Sequence, residues 1–345
     1  MLTSVDGFPI AVGRLFRAEM VRWIHQEKLS SNDIRRNSSM KKFIRNISPF
    51  NNRTDMPAAV LVIKKLLAFI LCFVVGTLLG NAVVIGAMIA GGKKFAQGET
   101  FSESTMGLLG LYAMAGMIAA SVLYWKCIEK RKLSEMGVTK HIGGWFIGAL
   151  IGMGLVAVCV AAIVLTGSIG FDGVSTDPDI LMILLLLGGY IIQSAAEEFL
   201  CRGLVLCSLR DRVPMPVAIA ASTFVFTFNH WGNFIGSEPK YIFSGIFCLI
   251  VISCVFSFLT LKTKSIWAAC RLHTLWNFSL SCVLGLDLSG EEASAALINM
   301  KSIGKNLLNG GNYGIEASVI TGAVLAAAAV LLWCMYKRND RKAGA

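Results

Sequence analysis

The stretch ILMILLLLGGYIIQSAAEEFLCRG, residues 180–203, decides how the chain is read. Its apolar-rich part approaches the ~20 residues that an α-helix needs to cross a bilayer. Two adjacent carboxylates, Glu197 and Glu198, follow, and then Arg202. Ionisable groups inside such a run are costly, and their retention points to function. Adjacent helical residues project about 100° apart, so the two glutamates cannot share one role. Glu198 and Arg202 stand i,i+4 and can pair on one face, which leaves Glu197 as the free carboxylate. The blander alternative is a helix end whose charges snorkel to water.

Similar runs recur on both sides. Eight candidate spans lie at roughly 57–90, 106–126, 144–166, 180–208, 214–231, 241–261, 265–285 and 316–336, each near the ~20-residue bilayer length. Local start signals support several of them. Asp55 and Pro57 suit the start of the first, Asp177-Pro178-Asp179 precedes the fourth, and Pro214 and Pro216 open the fifth. The expected fold class is therefore all-α: a polytopic membrane protein of about eight transmembrane helices. Composition agrees. The 345 residues are 55% hydrophobic and only 15% charged, where a soluble domain holds about 25% charged. Mean hydropathy is +0.66.

The net charge of +11 does not indicate nucleic acid, because the basic residues sit in short segments between apolar runs. Lys126, Lys130, Arg131, Lys132 and Lys140 cluster between spans two and three. Arg210 and Arg212, then Lys262 and Lys264, then Lys337, Arg338, Arg341 and Lys342 mark further segments on the same side. The loop 167–179 carries Asp but no Lys or Arg. This alternation places a multi-pass protein in the cell membrane with both termini in the cytoplasm. Lys93 and Lys94, and Lys301 and Lys305, are mild exceptions.

Residues 1–55 form a polar, basic N-terminal segment, and 56–345 the transmembrane domain. No cleavable signal peptide is legible in the first 55 residues. Within them Val12, Leu15, Phe16, Met20, Trp23 and Ile24 recur at helical spacing among arginines, which suits a helix lying on an anionic bilayer face. The ten cysteines are scattered singly, so reduced, buried thiols are expected and a disulfide framework is not.

The polar residues within apolar runs concentrate in spans four, five and seven. Span five ends Phe226-Thr-Phe-Asn-His230, and span seven contains Arg271-Leu-His273-Thr-Leu-Trp-Asn277. Two of only four histidines thus lie in apolar runs, and His273 and Asn277 share a helix face. A lone histidine there is more often a satisfied core residue. Two of them, with a glutamate pair and an asparagine, are harder to dismiss. At 1.5 Å per residue, His230 lies roughly 24 Å from the basic end of its span, and Glu197, His273 and Asn277 roughly 12–18 Å from the basic ends of theirs. The groups are expected to meet at middle depth, in a pocket more open to the cytoplasm.

Such a set supports amide hydrolysis. A carboxylate takes a proton from water, the water attacks a carbonyl, and His and Asn N–H groups stabilise the oxyanion. Glu197 would be the base, with His230, His273 and Asn277 holding water and oxyanion. Alternatively, Glu197, His230 and His273 form a two-histidine, one-carboxylate set for zinc. No H-E-x-x-H or G-x-S-x-G is present.

Glu197-Glu198-x-x-x-Arg202, Phe226-x-x-x-His230 and His273-x-x-x-Asn277 resemble, in order and spacing, the three signature motifs of the CAAX prenyl protease and bacteriocin-processing (Abi) family. The Ser265-Ile-Trp-Ala-Ala269 lead-in to the third motif matches as well. The resemblance covers about residues 100–285. It implies a glutamate-dependent intramembrane endopeptidase with Glu197 as base, His230, His273 and Asn277 as water and oxyanion partners, and Glu198–Arg202 as a supporting ion pair. Family members are described both as metalloproteases and as metal-independent glutamate proteases, so a divalent metal such as zinc stays open as cofactor. The implied partners are the bilayer and a membrane-associated peptide or protein tail. Cys201 departs from the aromatic residue often found before the motif arginine. Two other readings stand beside this one: a non-catalytic immunity or binding protein that keeps the fold, and a transporter using the Glu/His set as a proton relay.

Overall fold

The computed structural model describes residues 39–93, 101–140 and 143–343, with side chains as far as 338. The chain divides into two units, residues 1–48 and 49–345. In the first unit, residues 39–47 form helix α1. The amphipathic stretch expected at 12–24 lies outside the described residues.

The second unit is a helical bundle. Its helices are α2 (Ala58–Ala90), α3 (Glu103–Ile128), α4 (Gly143–Leu165), α5 (Ile180–Leu209), α6 (Met215–Asn229), α7 (Pro239–Thr263), α8 (Trp267–Phe278) and α9 (Val319–Ala343). The start signals act as expected. Pro57 precedes α2 and Pro214 precedes α6, while the Asp179 carboxylate caps α5 by accepting from the Met182 N–H at 2.9 Å. Leu78, Val83, Leu150, Leu165 and Leu181 point outward and are strongly exposed, as a bundle surrounded by lipid requires.

Two expectations need correction. Among the described residues, six helices rather than eight are long and apolar enough to cross a membrane: α2, α3, α4, α5, α7 and part of α9. The runs expected as spans five and seven form shorter helices. α6 has 15 residues and α8 has 12. At 1.5 Å per residue, α6 reaches about 22 Å, short of a ~30 Å hydrocarbon core. α6 ends because the backbone leaves the helical region at His230, with φ −90° and ψ 1°. α8 passes into a wide π-helical turn, Ser279–Val283. The fold is also not purely helical. β1 (Ile169–Val174) pairs antiparallel with β2 (Ile298–Ser302), with a register shift between Phe171 and Gly173.

Close packing sets the position of α8. A Cβ on Gly148 of α4 would sit 2.1 Å from the Ala268 carbonyl oxygen, and one on Gly152 would sit 3.0 Å from that of Leu272. Only glycines let the two backbones approach this closely, the small-xxx-small geometry of membrane helices. The contact fixes the helix that carries His273 and Asn277.

At the end bearing the basic turns, α2 and α3 are joined by a buried ion pair. Lys65 Nζ lies 2.6 Å from Glu129 Oε1, with both side chains 1% exposed. The Tyr124 hydroxyl donates to the same carboxylate oxygen at 3.1 Å. Neighbouring Lys64 donates to the Arg53 carbonyl at 2.8 Å.

Candidate active site

α5 carries the glutamate pair deep inside the bundle. Glu197 is 6% exposed, and Glu198 and Arg202 are fully buried. These are not charges snorkelling from a helix end. Just beyond the pair, Phe199–Leu206 widens into a π-helix, and every residue of it is buried. Such insertions recur at functional sites, because they re-aim side chains that a regular helix would fan out.

The Glu198–Arg202 pair forms as expected, with Arg202 Nη1 donating to Glu198 Oε1 at 3.1 Å. Arg202 also donates to the Ser253 carbonyl at 3.1 Å and to the Ser253 hydroxyl at 2.7 Å. Its guanidinium lies against the rings of Phe226 and Phe256, 4.6 and 4.9 Å from their centroids. A planar, always-charged group with five donors suits this slot, and a flexible ammonium does not.

Glu198 has a second partner. The His273 Nδ1–H donates to Glu198 Oε1 at 3.3 Å, since a carboxylate paired with arginine only accepts. That fixes the ring, which also stacks on Phe256 at 5.0 Å. His230 is fixed similarly. Its Nδ1 lies 2.8 Å from the Phe226 carbonyl, and a carbonyl cannot donate, so Nδ1 carries the proton. Its Nε2 then faces Glu197 Oε2 at 3.8 Å. That Glu197 oxygen is buried and has no hydrogen-bond partner.

Asn277 donates from Nδ2 to Gln193 Oε1 at 3.1 Å. Gln193 is a site residue that the sequence reading gave no role. Its position four residues before Glu197 is the signal that could have drawn it in, since i and i+4 share a helix face.

Glu197, His230, His273 and Asn277 all line one cavity of about 1010 Å³, together with Gln193 and Tyr190. Leu108, Leu111, Met114 and Met117 of α3 form an apolar wall. The lining continues to Glu103 and Ser104 at the start of α3 and to residues 288–294. Both lie at the end of the bundle opposite the basic turns. Toward those turns the path is filled by the buried Phe199–Leu206 segment. The expected opening toward the basic side is therefore corrected: α6 stops at His230, and the chain after α8 folds over to form the mouth. Glu316 braces that mouth, its Oε1 accepting from Trp276 Nε1 at 2.9 Å and its Oε2 from the Ser289 backbone and hydroxyl at 2.7 Å.

Among the described residues, no group of three His, Cys, Asp or Glu side chains is arranged to hold a metal ion. His230 and His273 each turn Nδ1 to an oxygen acceptor, the Phe226 carbonyl and Glu198 Oε1, which leaves Nε2 of each ring uncommitted.

Residues 179–279 match a protein family described as type II CAAX prenyl endopeptidase Rce1-like. The match supports the CAAX protease family. The Rce1-like segment runs from the cap of α5 to the end of α8 and holds all six site candidates, from Glu197 to Asn277. No curated protein and no solved structure matches the chain. Together with the six long apolar helices, the Rce1-like segment supports a multi-pass membrane protein of protease type.

Proposed function

We propose that this chain is an intramembrane endopeptidase that hydrolyses a peptide bond in a membrane-associated peptide or protein tail. The observation that carries the reading is the division of labour within the glutamate pair. Glu198 is held through its Oε1 by Arg202 and His273 and does not line the cavity, whereas Glu197 lines it and turns an unbonded oxygen toward His230. A general base needs that arrangement: a carboxylate free to accept, held where a substrate carbonyl can reach it.

The reaction follows from the geometry. A water bound between Glu197 Oε2 and His230 Nε2 gives one proton to Glu197, and its oxygen forms a bond to the carbonyl carbon. The π electrons of the carbonyl move onto its oxygen. Asn277 has a second amide N–H beyond the one held by Gln193, and it stabilises that oxyanion. As the tetrahedral intermediate collapses, the C–N bond breaks and the proton on Glu197 passes to the leaving amine. The products are a carboxylic acid and an amine, between which the acid proton then passes, and the base is restored. Each step uses the chain's own residues and water.

The test compares wild type with Glu197→Gln in nanodiscs, each incubated with a library of membrane peptides and read by mass spectrometry. Gln keeps the shape but cannot accept the proton. Cleavage by wild type alone supports the reading. Equal cleavage by both removes Glu197 as base. Absence of cleavage by either, with a phenotype insensitive to Glu197, favours a binding protein that keeps the fold.

A further inference from the structure

Five carboxylates line the cavity: Glu103, Glu197, Glu291, Glu292 and Glu316. No Lys or Arg lines it, although the chain has 32 basic residues against 21 acidic ones. The cavity therefore runs against the charge of the whole molecule. Glu316 is answered by Trp276 and Ser289. Among the described residues, none of the other four is paired with a Lys or Arg. Glu291 and Glu292 are exposed at the mouth, as is Glu103 across from them. At the inner end, Glu197 is more than nine-tenths buried and presents an oxygen without a partner.

Burial and the Glu292 carboxylate push the Asp287 carboxyl above the usual aspartate range. Charges of one sign lining a concave, poorly solvated site focus their potential and raise the local concentration of the opposite charge. An acidic peptide or a free terminal carboxylate would be repelled from this mouth. The apolar wall of Leu108, Leu111, Met114 and Met117 offers burial to aliphatic side chains and none to a charge.

We propose that the substrate is a peptide whose apolar stretch lies along α3 and whose flank at the mouth carries Lys or Arg, held by Glu291, Glu292 and Glu103. This substrate class rests on the peptidase reading above, but it is tested by binding and not by turnover. Full-length Glu197→Gln protein in nanodiscs of zwitterionic phosphatidylcholine would be titrated with two fluorescent peptides sharing one apolar stretch, flanked by Lys in one and by Glu in the other. Empty nanodiscs supply the background, and anisotropy gives the affinities.

The Lys-flanked peptide is expected to bind about tenfold more tightly at low salt, the scale of electrostatic selection by a few partly solvated charges. That preference should shrink to about twofold when Glu291→Gln and Glu292→Gln are added, or when salt is raised well above 0.1 M. Equal affinities would overturn the proposal, as would a preference that survives loss of both glutamates, or no binding of either peptide. Selective binding without any cleavage by wild type would leave this inference standing and sink the peptidase reading instead.

Discussion

His230 turns its Nε2 toward Glu197 Oε2 across 3.8 Å, close enough to face it and too far for a direct hydrogen bond. The next residue, Glu198, is bonded instead: its Oε1 meets Arg202 at 3.1 Å and His273 at 3.3 Å. The contrast between these neighbours makes the first prediction.

Glu197→Gln should lose at least about 10²-fold in kcat/KM while keeping its thermal midpoint, because general-base catalysis contributes 10²–10⁴. Glu198→Gln should show the opposite emphasis. It leaves the Arg202 charge buried and uncompensated, a loss of about 3–5 kcal/mol in stability. Thermal unfolding in detergent, read beside peptide cleavage, separates the two. A Glu198 variant of normal stability would contradict the assignment.

Arg202→Lys should not rescue what Arg202→Ala loses. Lysine keeps the charge but cannot bond Glu198 and Ser253 together while lying flat between Phe226 and Phe256. Expression and unfolding midpoints of both variants would show the two equally impaired, within about 1 kcal/mol.

Gly148→Leu should push α8 away from α4. A Cβ there would already lie 2.1 Å from the Ala268 carbonyl oxygen, so the backbones must separate. Overpacking of this kind costs about 1–3 kcal/mol. The displaced helix carries His273 and Asn277, so activity should fall more steeply than stability. Gly154→Leu on the same helix, where nothing stands within 4 Å of a Cβ, is the control and should change neither measurement.

Lys65→Met should destabilise the bundle by about 3–5 kcal/mol by stranding the buried Glu129 carboxylate. Replacing both partners, with Lys65→Met and Glu129→Gln together, should recover most of that loss. A double-mutant cycle on unfolding midpoints measures the coupling, and additive losses would show that the pair does not act as one.

Much of the site was legible because helical periodicity is local. Glu198 and Arg202 follow from i,i+4 spacing, and the three polar clusters stood out against apolar runs because buried charge is rare. The rest depends on contacts between distant segments. Nothing near residue 230 announces that α6 stops short of a bilayer's thickness, and hydrophobic length alone made spans of α6 and α8. The π-turn at Phe199–Leu206 has no composition of its own. β1 and β2 pair across more than a hundred residues, and neither alternates clearly enough to read as a strand. Gly148 and Gly152 look like ordinary members of an apolar run until Ala268 and Leu272 are seen against them. The cavity faces away from the basic turns for the same reason, since its mouth is made by chain that lies after the helices bearing the site candidates.

The brace from Glu316 to Trp276 and Ser289 joins the mouth to a residue that lies downstream of every candidate catalytic group. A ribosome making this protein therefore finishes the reactive side chains well before it delivers the piece that holds their chamber together. Until residue 316 has emerged and folded back, the growing chain has its chemistry but no enclosed place to use it. On the peptidase reading proposed above, the order of the sequence delays the enclosed site until late in insertion. Nascent chains arrested just before residue 316 should leave co-reconstituted peptides uncut, whereas chains released after α9 should cleave them.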